Sequence, residues 1–221
     1  MTTQAKRERQ ATRTRNRRGE GQRLGEEIVQ AATKLLTGLG DVNLLSLRAV
    51  AREIGITATS IYPHFKTIDE LAGAVVAHAF EELDAARDAA SEGISDAGDA
   101  LLARSRAYCQ FAISRPGLYQ VMFQVSLPDT LTLPSPQAPG RRSFETLVES
   151  IARTQRPRGY GELDPRRLAT LLWATLHGLV SLRISRPDFP WPPLEEEVTT
   201  AVERIAGLRH KQARSSTTAR S

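Results

Sequence analysis

The chain has little from which to build a covalent or metal-held site. One of its 221 residues is cysteine, Cys109, so no internal disulfide can form, a usage that fits a reducing compartment. The four histidines, His64, His78, His177 and His210, stand at none of the spacings that hold a metal, such as HExxH. P-loop, GxGxxG and GxSxG patterns are missing. No catalytic residue, metal site or cofactor is therefore expected, and an enzyme is the least favoured reading. No uninterrupted run of about 18 apolar residues occurs, so no membrane span is expected. The Arg- and Thr-rich start lacks the apolar core of a secretion signal, and a cytoplasmic location is expected. Nor does any run alternate apolar and polar residues as a half-buried strand should.

What the chain does have is charge, unevenly spread. The formal net charge of +5 conceals two basic ends. Residues 1–23 hold Lys6, Arg7, Arg9, Arg13, Arg15, Arg17, Arg18 and Arg23 against Glu8 and Glu20 alone. Residues 209–221 add Arg209, Lys211, Arg214 and Arg220 with no acid. Between these ends the body is acidic. Basic arms on an acidic body point to contact with a polyanion. The N-terminal arm is read as a candidate nucleic-acid contact, and the tail as a solubilising extension.

Helical periodicity organises the rest, and 40% hydrophobic residues suffice for a sizeable core. From Leu24, the residues Ile28, Ala31, Ala32, Leu35, Leu36 and Leu39 form one stripe, which Gly38 and Gly40 stop. Ser46 caps a second helix, and Thr67 with Glu70 makes a capping box for a long helix to about Ser91. Further helices are expected at about 98–114, from Pro116 through Phe123, at 141–156, at 165–185 and at 194–208. Residues 128–140, with four prolines, read as a loop. The expected fold is all-α.

The most informative stretch is Leu47–Lys66. Leu47, Val50, Ala51 and Ile54 fall at helical spacing, and Gly55 supplies the positive φ of a tight turn. Ile56 is expected to be buried beside that turn, Thr57 to cap a second helix through its hydroxyl, and Ile61 to lock the two together. Pro63 limits the second helix to about Thr57–Tyr62, because proline lacks an N–H and clashes with the carbonyl four residues back. The spacing is that of a helix-turn-helix, whose second helix enters the major groove. An ordinary αα-hairpin has the same outline.

The residues SLRAVAREIGITATSIYPHF (46–65) resemble the N-terminal domain of the tetracycline-repressor (TetR) family. That family typically reads T-x-R-x-[IVL]-A-x-x-x-G-[IV]-[ST]-x-x-[ST]-[ILV]-Y-x-H-F. Ser46, Arg48, Ala51, Gly55, Ile56, Thr57, Ser60, Ile61, Tyr62, His64 and Phe65 all agree with it. YCQFAISRPGLYQVMF (108–123) and WATLHGLVSL (173–182) resemble a subgroup whose C-terminal domain carries a WxxxHG pattern. The resemblance implies a homodimeric transcription regulator, usually a repressor, that a small ligand releases from a palindromic DNA operator. It also implies a division into a basic arm (1–23), a helix-turn-helix domain (24–70), a helical regulatory and dimerisation domain (71–208) and a basic tail (209–221). Ile68 departs from the family, which often carries Lys there, and leaves Lys66 as the nearby cation.

DNA contacts are expected from Ser46, Arg48, Thr57, Ala58, Thr59, Ser60, Tyr62, His64 and Lys66. Among these, Ser46, Tyr62, His64 and Lys66 would hold phosphates, which fix register without reading sequence. No residue of the second helix is Arg, Asn or Gln, so strong bidentate base readout is missing from it. Threonine hydroxyls, an Ala58 contact to a thymine methyl, Arg48 and DNA shape remain as readers. Two-fold pairing is expected through helices 165–185 and 194–208. Leu168, Leu171, Leu172, Ala174, Thr175, Leu179 and Leu182 spread over more than one face of the first, and Gly178 would let a partner approach. For a small-molecule effector the candidates are Tyr108, Phe111, Tyr119, Met122, Phe123, Trp173 and His177; plain core packing is their other reading. Two further alternatives stay open: a helical interaction protein, and a ligand-independent regulator or activator.

Overall fold

The computed structural model describes residues 20–39, 45–124, 138–155 and 164–208, which form eight α-helices and one 3-10 turn, with no strand among them. The basic arm before Glu20, most of the proline-rich loop and the basic tail lie outside the described residues.

Helix α1 (Glu20–Leu39) begins a turn earlier than the apolar stripe. Charged and amide pairs at i,i+4 account for the extra turn: Arg23 Nε donates to Glu27 at 3.1 Å, and Gln22 to Glu26 at 3.3 Å. Ile28, Ala31, Ala32 and Leu36 are buried on its inner face. Helix α2 (Leu47–Glu53) is capped as expected, the Ser46 hydroxyl accepting from the Ala49 N–H at 3.1 Å. Such a cap contributes about 1 kcal/mol. Gly55 has φ +70°, and the Ile56 N–H returns to the Ala51 carbonyl at 2.9 Å. Val50, Ala51 and Ile61 are buried together, while Ile56 is only half-buried against the same core.

Helix α3 (Ile68–Ser91) starts at Thr67, whose hydroxyl accepts from the Glu70 N–H at 3.1 Å. The return half of the expected capping box is displaced by one residue, since Glu70 Oε2 accepts from the Lys66 N–H at 2.7 Å. Helix α4 (Ala97–Ser114) is capped by Asp96, and α5 (Pro116–Gln124) opens on Pro116. Helix α6 spans Arg141–Thr154, and α7 spans Pro165–Ser185 behind its cap Asp164. Helix α8 (Leu194–Ile205) ends three residues short of expectation, before Gly207 at φ +65°.

One apolar core runs from Ile28 and Leu36 of α1 to Val180 of α7 and Val202 of α8, so the two halves share an interior. The joint between them is close. A Cβ on Gly117 would stand 2.9 Å from the carbonyl oxygens of Leu36 and Thr37, so the first turn of α5 rests on the last turns of α1. Only glycine permits that approach without moving backbone. By length and composition α7 is the one described helix that could cross a membrane, although no uninterrupted apolar run spans it. Leu168, Leu172, Leu176 and Val180 on its inner face belong to the core, which is the ordinary position of a central helix.

Candidate functional site

The nine residues expected at DNA fall on α2, its cap Ser46 and the segment after it. Ser46, Arg48, Thr57, Thr59, Tyr62 and Lys66 are exposed, whereas Ala58, Ser60 and His64 are half-buried. Tyr62 shows 53% of its surface. Ala58 packs against the core, which turns part of its methyl away from any thymine. His64 lies beside α1, with Nδ1 3.4 Å from where a Cβ on Gly25 would stand.

The second helix of the motif is shorter than expected. It is a single 3-10 turn, Ala58–Ser60, held by Ser60 N–H to Thr57 C=O at 3.0 Å and Ile61 N–H to Ala58 C=O at 3.1 Å. Two local causes are visible. Pro63 has no N–H to continue the ladder toward Thr59. The Thr57 hydroxyl, moreover, caps no backbone N–H; it bonds instead to Thr59 Oγ1 at 2.7 Å and Ser60 Oγ at 2.9 Å. Three hydroxyls thus satisfy one another, and each can exchange that bond for a phosphate oxygen or a base edge. Arg48 and Lys66 present exposed cations beside these hydroxyls in the sequence.

A cavity of ≈ 170 Å³ lies between α3, α4, α5, α6 and α7. Four of the seven expected ligand residues line it: Tyr108, Met122, Phe123 and Trp173. Tyr119 and His177 do not line it but stand behind, tied to it by hydrogen bonds. Tyr108 and Tyr119 hydroxyls are 2.8 Å apart, and His177 Nδ1 is 2.6 Å from the Tyr119 hydroxyl. Phe111 also lies off the wall; it is buried under the Arg115 guanidinium, 5.1 Å from its ring centroid. Phe123 is the hub of the aromatic wall, with Tyr119 at 4.9 Å, Phe80 at 5.8 Å and His177 at 4.7 Å between ring centroids.

Burial sets the protonation here. It pushes the Tyr119 hydroxyl up to about 12 and Tyr108 still higher, and it holds His177 below its ordinary 6.5. At neutral pH all three are uncharged, with His177 Nδ1 free to accept from Tyr119 and Tyr119 free to accept from Tyr108. Cys109 is buried nearby and its thiol is pushed up to about 12 by burial, so it packs as an inert apolar group. Among the described residues no group of three or more His, Cys, Asp or Glu side chains gathers as a metal site would require.

Sequence reasoning missed the charged wall. Arg87 and Arg104 both line the cavity and are only 6% and 9% exposed. Arg87 Nη1 donates to the Ser143 hydroxyl at 2.7 Å and to Asp84 at 3.3 Å, linking α3 to α6. Arg104 Nη1 donates to Asp88 at 2.5 Å and to Ser91 at 3.1 Å, linking α4 to α3. Burial lowers the Arg87 pKa, and the neighbouring Arg104 charge lowers it further. A signal did exist in the sequence. Arg104 falls on the inward stripe Leu101, Ser105, Tyr108 and Ala112, and Arg87 continues the stripe Val76, Phe80 and Leu83.

Comparison with known proteins agrees with this arrangement. Residues 28–75 match the family described as bacterial regulatory proteins, tetR family, and residues 101–206 match the tetracyclin repressor-like C-terminal domain. The second match contains both C-terminal segments that carried the resemblance, without singling out a WxxxHG subgroup. A protein of unknown function from Rhodococcus sp. RHA1 is 25% identical, with 90% of this chain and 97% of that one aligned at a TM-score of 0.69. The TetR family transcriptional regulator PfmR from Thermus thermophilus is 22% identical over 81% and 97% of the two chains, at 0.56. AibR, solved in complex with isovaleryl coenzyme A and operator DNA, is 15% identical over 81% and 96%, at 0.57. The two family matches together cover both halves of the molecule, head and cavity alike. The chain belongs to the tetracycline-repressor family of DNA-binding transcription regulators, which are not enzymes.

Proposed function

We propose that the protein is a ligand-responsive repressor that binds a palindromic operator as a homodimer in the cytoplasm and leaves it when a small molecule fills the cavity. The observation that carries this reading is the path from cavity to head. Helix α5 puts Met122 and Phe123 on the cavity wall and Gly117 against the last carbonyls of α1. An occupant that displaces Phe123 therefore acts on a helix already seated on the DNA-binding half. Such a ligand shifts the population between DNA-competent and incompetent forms by its difference in affinity for the two. AibR, whose fold is similar, is a precedent for one chain holding both an acyl thioester and operator DNA.

Pairing is assigned to α7 and α8. Leu171 and Leu182 are each 51% exposed on α7, with Ala174 and Thr175 exposed between them and open space around Gly178. A stripe of this kind is suited to a two-fold partner. On the DNA side, Ser46, Tyr62, His64 and Lys66 hold phosphates, while Arg48, Thr57, Thr59 and Ser60 meet base edges, Ala58 contributing least because it leans on the core. The arm of residues 1–20 adds minor-groove or phosphate contacts.

Selection of bound DNA from a random pool, followed by release with a metabolite panel, tests the whole reading. Enrichment of a palindrome and its release by a small molecule are expected; a pool with no enriched palindrome removes the reading. Deleting residues 1–20 is expected to weaken operator binding and flatten its salt dependence, and an unchanged slope of log K against log salt removes the arm from the interface.

A further inference from the structure

Arg104 is built into the cavity wall with half of its guanidinium unused. Its Nη1 is taken by Asp88 and Ser91, yet Nε and Nη2 are buried and have no hydrogen-bond partner. Among the described residues these are the only buried side-chain nitrogens or oxygens left so. Nε and Nη2 lie along one edge of the planar group, the edge that offers two parallel N–H donors to the two oxygens of a carboxylate. Buried donors without acceptors are costly, and each one in a folded protein calls for an explanation.

The surroundings narrow the explanation. Asp84 and Asp88 border the groove outside Phe80 and Gly140 and do not line the cavity, so their negative charge lies on its outer side. The hydroxyls at the far end are already committed, Tyr108 to Tyr119 and Tyr119 to His177, with all three groups neutral. Ser105 spends its proton on the Leu101 carbonyl at 2.8 Å. Arg87 and Ser143 are bonded to each other and to Asp84, and the rest of the lining near Arg104 is apolar or aromatic, including Leu83, Leu147, Phe144 and Trp173. Arg104 thus brings an unsatisfied two-donor edge to the wall of a largely apolar cavity.

We propose that the cavity takes an amphipathic monocarboxylate, its aromatic or aliphatic body against Phe123, Phe144 and Trp173 and its carboxylate on the Nε and Nη2 edge of Arg104. This rests on the cavity being the effector site only for its regulatory consequence; the binding itself is independent of DNA. The occupant satisfies the two stranded donors and neutralises part of the positive charge that Arg104 and Arg87 impose on each other. The uncharged analogue of the same shape fills the apolar space but offers a single acceptor to a two-donor edge.

The test uses the full chain and matched pairs of compounds: 4-phenylbutyrate with 4-phenylbutanamide, and decanoate with decanamide. Binding is followed by calorimetry and by the emission of Trp173 in a Trp191→Phe background. In at least one pair the acid is expected to bind tenfold or more tightly than the amide at pH 7. Arg104→Met is expected to bring that acid to within twofold of its amide while leaving amide binding unchanged. Arg104→Lys keeps a cation for Asp88 but loses the fork, and is expected to retain less than threefold preference; it serves where the methionine variant does not fold. Equal binding of acid and amide by the unaltered protein, binding of neither pair below millimolar concentration, or an undiminished preference in both variants overturns the proposal. Release from the selected operator is measured separately. A carboxylate that binds without releasing DNA upholds this site and removes the regulatory reading, whereas release by an uncharged compound alone does the reverse.

Discussion

The DNA-reading segment and the cavity solve opposite problems with polar groups. In the segment after α2 they are small, at or near the surface, and satisfied by one another: Thr57 holds Thr59 and Ser60 at 2.7 and 2.9 Å. In the cavity wall they are large and buried, and one of them, Arg104, is left half satisfied. An exposed hydroxyl can wait for DNA at almost no cost, since water replaces any bond it loses. A buried guanidinium cannot. Selectivity at the surface must therefore come from position, and selectivity in the interior can come from a single unmet bond.

Four changes press on that contrast, taken from the largest effect to the smallest. Leu171→Asp with Leu182→Asp puts charge on the exposed stripe of α7, leaving the cavity intact. Loss of the dimer should cost about two orders of magnitude or more in operator affinity, because a lone reading head buries too little DNA. Sedimentation and operator titration check this; a variant still dimeric and tight relocates the interface. Gly117→Ala forces a methyl to 2.9 Å from two backbone carbonyls. It should destabilise the fold by about 1–3 kcal/mol, the usual cost of overpacking, seen as a lower Tm. An unshifted Tm would mean that α5 and α1 are not in close contact.

Arg48→Ala sharpens the surface side of the comparison. As an exposed residue it should leave Tm unchanged and reduce the salt slope of operator binding by about one if it meets a phosphate. If instead it reads a base, affinity falls at one operator position with little change in slope. The smallest effect is expected from His177→Gln. Burial holds the histidine below 6.5 in the folded protein, so the folded state takes up its proton less readily than the unfolded chain. Its contribution to stability is therefore fully present above about pH 6.5, the ordinary unfolded-state value, and is lost as pH falls below that. The drop in Tm between pH 7.5 and 5.5 should be smaller in the variant; an identical drop assigns that acid sensitivity to other groups.

Helices α2 to α7 were legible because their ends are written in local chemistry. Ser46, Thr67, Pro116 and Pro165 fix starts by hydrogen-bond capacity or by ring geometry, independently of the rest of the fold. The 3-10 turn was not legible. Whether Thr57 caps a backbone N–H or turns to Thr59 is a choice between bonds of similar strength, and it depends on side-chain rotamers that spacing does not encode. The aromatic wall was partly legible, since Tyr108, Met122, Phe123 and Trp173 repeat at helical spacing, although Phe111 on the same helix as Tyr108 turned out to face Arg115. The arginines were hidden by habit of charge. Arg87 and Arg104 sit on apolar stripes, but an arginine on a helix is normally solvated, and only the packing of α3 against α4 places both indoors.

Gly117 leaves α5 with two unlike contacts. At the α1 end, α5 rests backbone on backbone, with no side chain between to absorb movement. At the cavity end it meets the interior through Met122 and Phe123, whose rotamers can adjust. Redesign of the molecule as a sensor for a new compound therefore has a natural division of labour. On the proposed ligand-responsive reading, the pocket residues of α5 can be varied to suit the new shape while Gly117 is kept, because a rigid seat passes on a tilt that a soft one would absorb.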